Sequence, residues 1–173
     1  MLTRFRTLGG SPPYGTFFYV QEQKQKVWSP APFPVGNAQM LQTVFQSHMV
    51  RFQACANGIA STYEITVSPE EPVEVRKLTL QNEADQERTL EITSYVEPCM
   101  MRQQADVAHM AFGKLFVHTQ YEQEQHMLLA ERRPREPEEQ PLFLFHKLCA
   151  PDAVRHVTFE TSRERFIGRC RSL

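Results

Sequence analysis

The chain has 173 residues, 41% of them hydrophobic and 23% charged, with a formal net charge of −1. That is enough for one domain with a real core and too little for two comfortable ones. The near-neutral balance, without a basic stripe, argues against nucleic acid as a partner and against a polybasic membrane patch.

No apolar run approaches the roughly 18 residues that span a bilayer. The start, Met1-Leu2-Thr3-Arg4-Phe5-Arg6, lacks the apolar stretch of a secretory signal. A soluble, cytoplasmic chain is expected, with no membrane insertion by this segment. Cys55, Cys99, Cys149 and Cys170 lie far apart with no C-x-x-C pair, which favours reduced thiols over a disulfide framework.

Along the chain, short runs at 16–21 and 25–28 read as strands, followed by the loop Ser29-Pro30-Ala31-Pro32-Phe33-Pro34, which cannot donate a regular ladder. The run 41–54 is a further strand candidate. Alternation with period two is clearest over 59–67, 73–82 and 88–97, where β-branched and aromatic residues suit a half-buried pleated surface. The turns Ser68-Pro69-Glu70-Glu71-Pro72 and Asn82-Glu83-Ala84-Asp85 are short, so these three strands should pair antiparallel as a meander.

One short helical turn is expected within 102–111. Strands are expected again at 114–120, 126–131, 142–148 and 154–160, with 132–141 as a charged, proline-rich hairpin crossing. About ten strands with scarce helix make an all-β chain, an antiparallel two-sheet β-sandwich.

Chemical candidates are few. His109, His118 and His126 have no H-x-x-x-H spacing and no nearby cysteine, so no metal is expected. His118, mid-strand, reads as a half-buried structural residue. There is no G-x-S-x-G elbow and no glycine-rich phosphate loop, so no cofactor is expected either.

Glu97, Glu160 and Glu164 are the carboxylates nearest to a glycoside-type arrangement. The stronger reading pairs Glu160 and Glu164 with Arg163, Arg165 or Arg169 to fix the exit of the last strand, and no catalytic residue is assigned. Trp28 and Tyr95 could offer aromatic faces to a pyranose, although core packing is the commoner role of such rings.

Several motifs in order carry a resemblance. They are Gly15-Thr16-Phe17-Phe18-Tyr19-Val20, Val27-Trp28-Ser29-Pro30, Arg76-Lys77-Leu78-Thr79-Leu80-Gln81-Asn82 and Thr93-Ser94-Tyr95-Val96-Glu97. After these come Ala108-His109-Met110-Ala111-Phe112-Gly113-Lys114-Leu115-Phe116-Val117, Glu131-Arg132-Arg133-Pro134-Arg135, and Glu160-Thr161-Ser162-Arg163-Glu164-Arg165-Phe166-Ile167-Gly168-Arg169. Over nearly its whole length the chain resembles the N-terminal β-supersandwich domain of glycoside hydrolase family 94, formerly glycosyltransferase family 36. Within that family it is similar to the cyclic β-1,2-glucan synthetase (NdvB-type) branch.

The resemblance implies a galactose-mutarotase-like supersandwich, spanning 1–173 as part of one domain. It further implies that a catalytic (α/α)6 barrel, absent from this sequence, carries the general acid and most sugar and phosphate contacts. Expected partners are then a β-glucan oligosaccharide, the missing barrel, and a second copy of the chain through uncovered strand edges. Trp28, Tyr95, Arg163 and Arg169 are the expected substrate-binding residues, and the parent synthetase could reach the inner membrane through other segments. The alternatives are part of a cellobiose or β-1,2-oligoglucan phosphorylase, and a stand-alone sugar-binding or structural interaction module.

Overall fold

The computed structural model describes residues 1–4, 14–23, 25–134, 136–151, 154 and 156–168. Its elements are β1 (Thr16–Gln21), β2 (Gln39–Phe45), β3 (Met49–Ala56), β4 (Ile59–Val67), β5 (Glu74–Asn82), β6 (Glu91–Val96), α1 (Gln103–Lys114), β7 (Val117–Glu122), β8 (Met127–Arg132), β9 (Leu142–His146) and α2 (Arg163–Phe166). The class is all-β as expected, and the strands form three ladders ordered β1-β6, β2-β3-β4-β5 and β7-β8-β9. The described residues fall into two compact units, Phe17–Tyr95 and the segments on either side of it.

In the Phe17–Tyr95 unit, period-two patterning decides which face of the four-stranded sheet is buried. Phe52, Tyr63 and Leu78 stand in register on one face, while Arg51, Glu64 and Lys77 stand in register on the other. The polar face is tied by Arg51, whose Nε donates to Glu64 Oε1 at 2.9 Å. β3 and β4 are joined by Asn57-Gly58, both at positive φ (53° and 75°). That two-residue loop matches the twist of a hairpin and fixes the register from Ala56↔Ile59 onward.

At this end of the sheet Val20, Trp28, Ala56 and Ile59 are buried together, with Leu78, Leu80 and Leu90 packed against them. Each large side chain so buried contributes about 1.5–3 kcal/mol. Phe18 meets Tyr63 edge-on at 5.5 Å. Burial pushes the Tyr63 hydroxyl above its ordinary value, against the opposing pull of Arg76, whose Nη1 donates to it at 2.7 Å.

Several expectations are corrected here. The run 41–54 is two strands, because Gln46 N–H turns back onto the Met49 carbonyl at 2.9 Å. Residues 25–28 supply only a bridge, Val20↔Trp28. β6 starts at Glu91 rather than at 88, since Arg88 reaches sideways to Glu22 (Nε to Oε1, 2.7 Å). That hydrogen bond holds the Glu22 carboxyl below its ordinary value and the guanidinium above its own. The meander also ends at β5, because β6 pairs with β1 instead.

In the other unit, β7-β8-β9 form an antiparallel ladder, and the charged crossing after β8 joins β8 to β9 as expected. α1 is longer than the single turn anticipated: it has 12 residues, bends at His109 (φ −144°, ψ 58°) and takes in Lys114, which was read as the start of a strand. Among the described residues of 154–160 there is no regular ladder, although Phe159 stacks on Tyr121 at 3.7 Å. α2 was not anticipated. Ser162 caps it, its Oγ accepting from Arg165 N–H at 3.4 Å. No helix among the described residues is long and apolar enough to cross a membrane.

Candidate functional site

The densest charge cluster lies where β6 exits. Glu97 N–H donates to the Gly15 carbonyl at 2.9 Å, which brings Tyr14 alongside. The bridge Thr3↔Pro98 brings Arg4 to the same place. α1 contributes Asp106 from its first turn and Lys114 from its last, and α2 begins at Arg163.

Glu97 is 6% exposed and Asp106 2%, so both carboxylates have given up most of their hydration and need partners. Lys114 Nζ donates to Glu97 Oε1, and Arg163 Nε to Oε2 at 3.2 Å. Arg4 Nη1 pairs with Asp106 Oδ2. The Tyr14 ring lies beneath all three cations, with Lys114 Nζ at 4.6 Å from its centroid, Arg4 Cζ at 5.2 Å and Arg163 Cζ at 5.9 Å.

The space enclosed beside Glu97, Asp106 and Tyr14 is about 10 Å³, at the lower limit for one water. A pyranose cannot enter it. The cluster is arranged to join the exit of β6, α1 and α2, with charge-assisted bonds at each contact.

A larger depression lies at the start of β7. It is an open depression of about 550 Å³ lined by Leu115, Phe116, Val117, His118, Arg133 and Pro134. The Arg132 guanidinium sits 5.8 Å over the Phe116 ring, and Arg133 N–H holds the Phe116 carbonyl at 2.9 Å.

The four expected substrate residues do not form one site. Arg163 joins the charge cluster. Trp28 is 2% exposed and belongs to the core of the other unit, where its ring has no open face for a sugar. Tyr95 is half-buried, stacked with Phe17 at 6.4 Å and edge-on to Tyr19 at 6.1 Å. Arg169 lies outside the described residues.

Of the expected pairs at the strand exit, Glu160 does meet Arg165 (Oε1 to Nη2, 3.4 Å), and its Oε1 accepts from Ser162 N–H at 2.7 Å. Arg163 instead turns to Glu97. His109, His118 and His126 are all exposed, which corrects the half-buried reading of His118. Among the described residues no three His, Cys, Asp or Glu side chains are grouped to hold a metal.

Sequence reasoning singled out Glu97 and Arg163 but not as partners, and it missed Arg4, Tyr14, Asp106 and Lys114. No spacing rule links positions from the first residues to α2.

Comparison with known proteins adds identity to this geometry. Residues 1–173 match the family model described as glycosyl hydrolase 94, supersandwich domain. The chain is 28% identical over 162 residues to cyclic beta-(1,2)-glucan synthase NdvB of Rhizobium meliloti (strain 1021), a match covering 92% of this chain and 6% of that protein. It is 26% identical over 156 residues to solabiose phosphorylase of Paenibacillus borealis, covering 88% of this chain and 19% of that protein. The chain thus spans less than two thirds of either relative. The motif resemblance holds: this chain belongs to glycosyl hydrolase family 94, in its supersandwich domain.

Proposed function

We propose that this chain acts as a non-catalytic, carbohydrate-associated module of an enzyme that builds or shortens β-glucan, with cyclic β-1,2-glucan synthesis or processing as the activity served. The catalytic carboxylate and most sugar contacts come from a separate (α/α)6 barrel. The whole assembly works on the cytoplasmic side.

The observation that carries this reading is the state of Glu97. A glycosidic general acid must approach the scissile oxygen within hydrogen-bond reach, opposite a second carboxylate. Glu97 is buried, shared between Lys114 and Arg163, and beside it lies room for about one water. Asp106 is held by Arg4 in the same cluster. Both buried carboxylates of the described residues are therefore engaged in joining elements.

Glucan contact falls to the groove at Phe116, His118 and Arg133. Exposed imidazole and guanidinium groups there can donate to sugar hydroxyls, and the apolar wall of Leu115 and Val117 suits a pyranose face. Titration calorimetry with β-1,2-gluco-oligosaccharides tests the assignment. Binding near millimolar is expected, about −4 kcal/mol, and Arg133→Ala should weaken it. Heat that is absent at high ligand concentration, or unchanged in Arg133→Ala, contradicts the groove assignment.

A second reading follows from the match to solabiose phosphorylase. The module would then serve a phosphorylase, and the parent enzyme's products would depend on inorganic phosphate.

A further inference from the structure

The three-stranded sheet ends on β9, Leu142–His146, whose sequence LFLFH contains no Asp, Glu, Lys or Arg. Among the described residues β8 is its sole ladder partner. Edge strands of monomeric proteins are normally blunted by charge, bulges or proline within the strand. β5, at the edge of the four-stranded sheet, follows that rule with Glu74, Arg76 and Lys77, and β9 does not. Phe143 is 43% and Phe145 60% exposed. The register sets Phe145 beside Leu129 and Phe143 beside Glu131, so both rings stand on one face of the sheet.

We infer that β9 is the contact through which two copies of this chain associate, antiparallel about a two-fold axis at Leu144. The occupant follows from the strand's own pattern. Paired about Leu144, the strand sets Leu144 against Leu144 of the second copy and Phe143 against Phe145 of the second copy, twice over. Aromatic cross-strand pairs on one face are among the favourable ones, and no like charges meet. A one-residue slip would flip the second strand, moving its Phe143 and Phe145 to the other face of the joined sheet and ending the aromatic pairing. The two ladders then run on as one sheet across an isologous contact.

The other uncharged edge, β2, is a poorer candidate. Its register shifts between Met40 and Gln42, a bulge that twists an edge away from pairing. Self-pairing about Gln42 would set Phe45 against Gln39.

Sedimentation equilibrium of the whole chain tests the inference and reads mass, independently of any carbohydrate activity. The wild type should rise from 20.1 kDa toward twice that mass with concentration. Phe143→Lys with Phe145→Lys opposes lysines twice across the axis and should weaken association about tenfold or more. Phe143→Lys with Phe145→Glu restores opposite charges at the same two positions and should recover the dimer, which a folding defect would not do. Circular dichroism of each variant checks that it is folded. Leu144→Cys, in a background with Cys149→Ser, should cross-link on oxidation, because directly opposed Cα atoms lie about 4.5–5.5 Å apart. A wild type that stays at 20.1 kDa throughout overturns the inference. So does a double-lysine variant that associates like wild type, a Lys/Glu variant that fails to recover, or a Phe45→Lys variant at β2 that dissociates the dimer instead.

Discussion

Arg163 Nε lies 3.2 Å from Glu97 Oε2, joining the end of β6 to the start of a helix 66 residues later. Because Lys114 occupies the other oxygen of the same carboxylate, one side chain from the strand exit holds both helices. Loss of Arg163 leaves Glu97 with Lys114, whereas loss of Glu97 removes the carboxylate that both cations share.

The two substitutions should therefore differ. Arg163→Ala is expected to cost about 1–3 kcal/mol and Glu97→Ala more than that, since the second removes the charge-assisted bonds of two cations at once. Urea unfolding measures both. Equal costs would mean that Lys114 and Arg163 do not share Glu97 as the geometry has it.

Acid stability should respond to Glu22. Its folded-state carboxyl lies below the ordinary value of 4.5, chiefly through the hydrogen bond from Arg88. The unfolded state therefore binds its proton first as pH falls. The stabilisation is present above the unfolded value and is lost as pH drops through the folded one. Glu22→Gln should flatten that limb of the stability–pH curve while leaving its neutral-to-alkaline shape alone. A variant whose acid limb overlays the wild type excludes Glu22 as a contributor.

Tyr63 acts at the opposite end of the scale. Burial raises its hydroxyl above 10.0, so its contribution is complete below the unfolded value and is lost as pH rises through the folded one. Tyr63→Phe should remove that alkaline dependence, as read by thermal melts at high pH. It should also leave Arg76 without the hydroxyl it donates to.

The core of the Phe17–Tyr95 unit should be sensitive where it is most closed. Trp28→Ala is expected to cost about 3–5 kcal/mol, the range for emptying a large aromatic site. Phe45→Ala, at a ring 75% exposed, should stay within about 0.5 kcal/mol. A mild effect of Trp28→Ala, accompanied by lost glucan binding, would return Trp28 to a sugar-contacting role.

How much of this was legible in the sequence depends on the range of the interaction. β4 matched the expected bounds because its period-two burial is a local signal, and β1 did so as a short continuous apolar and aromatic run, which is equally local. The break at 46–48 was missed, since Gln46-Ser47-His48 carries neither Gly nor Pro to announce a turn. β6 pairs with β1 across some 70 residues, and a short connection from β5 suggested the wrong neighbour. The Glu97 cluster was the least readable. Arg4, Tyr14, Asp106, Lys114 and Arg163 come from four distant stretches, and only folding brings them together. The charge pattern at 160–169 was noticed, but composition could not say that Arg163 turns inward while Arg165 stays 73% exposed.

The most direct test of the account is turnover by the pure chain. β-1,2-Gluco-oligosaccharides are supplied with and without inorganic phosphate, and both sugar 1-phosphate and transferred glucose are measured. The account predicts no turnover under either condition, in wild type and in Glu97→Gln alike. Steady turnover by the wild type that disappears in a folded Glu97→Gln variant would contradict it and make Glu97 a catalytic residue.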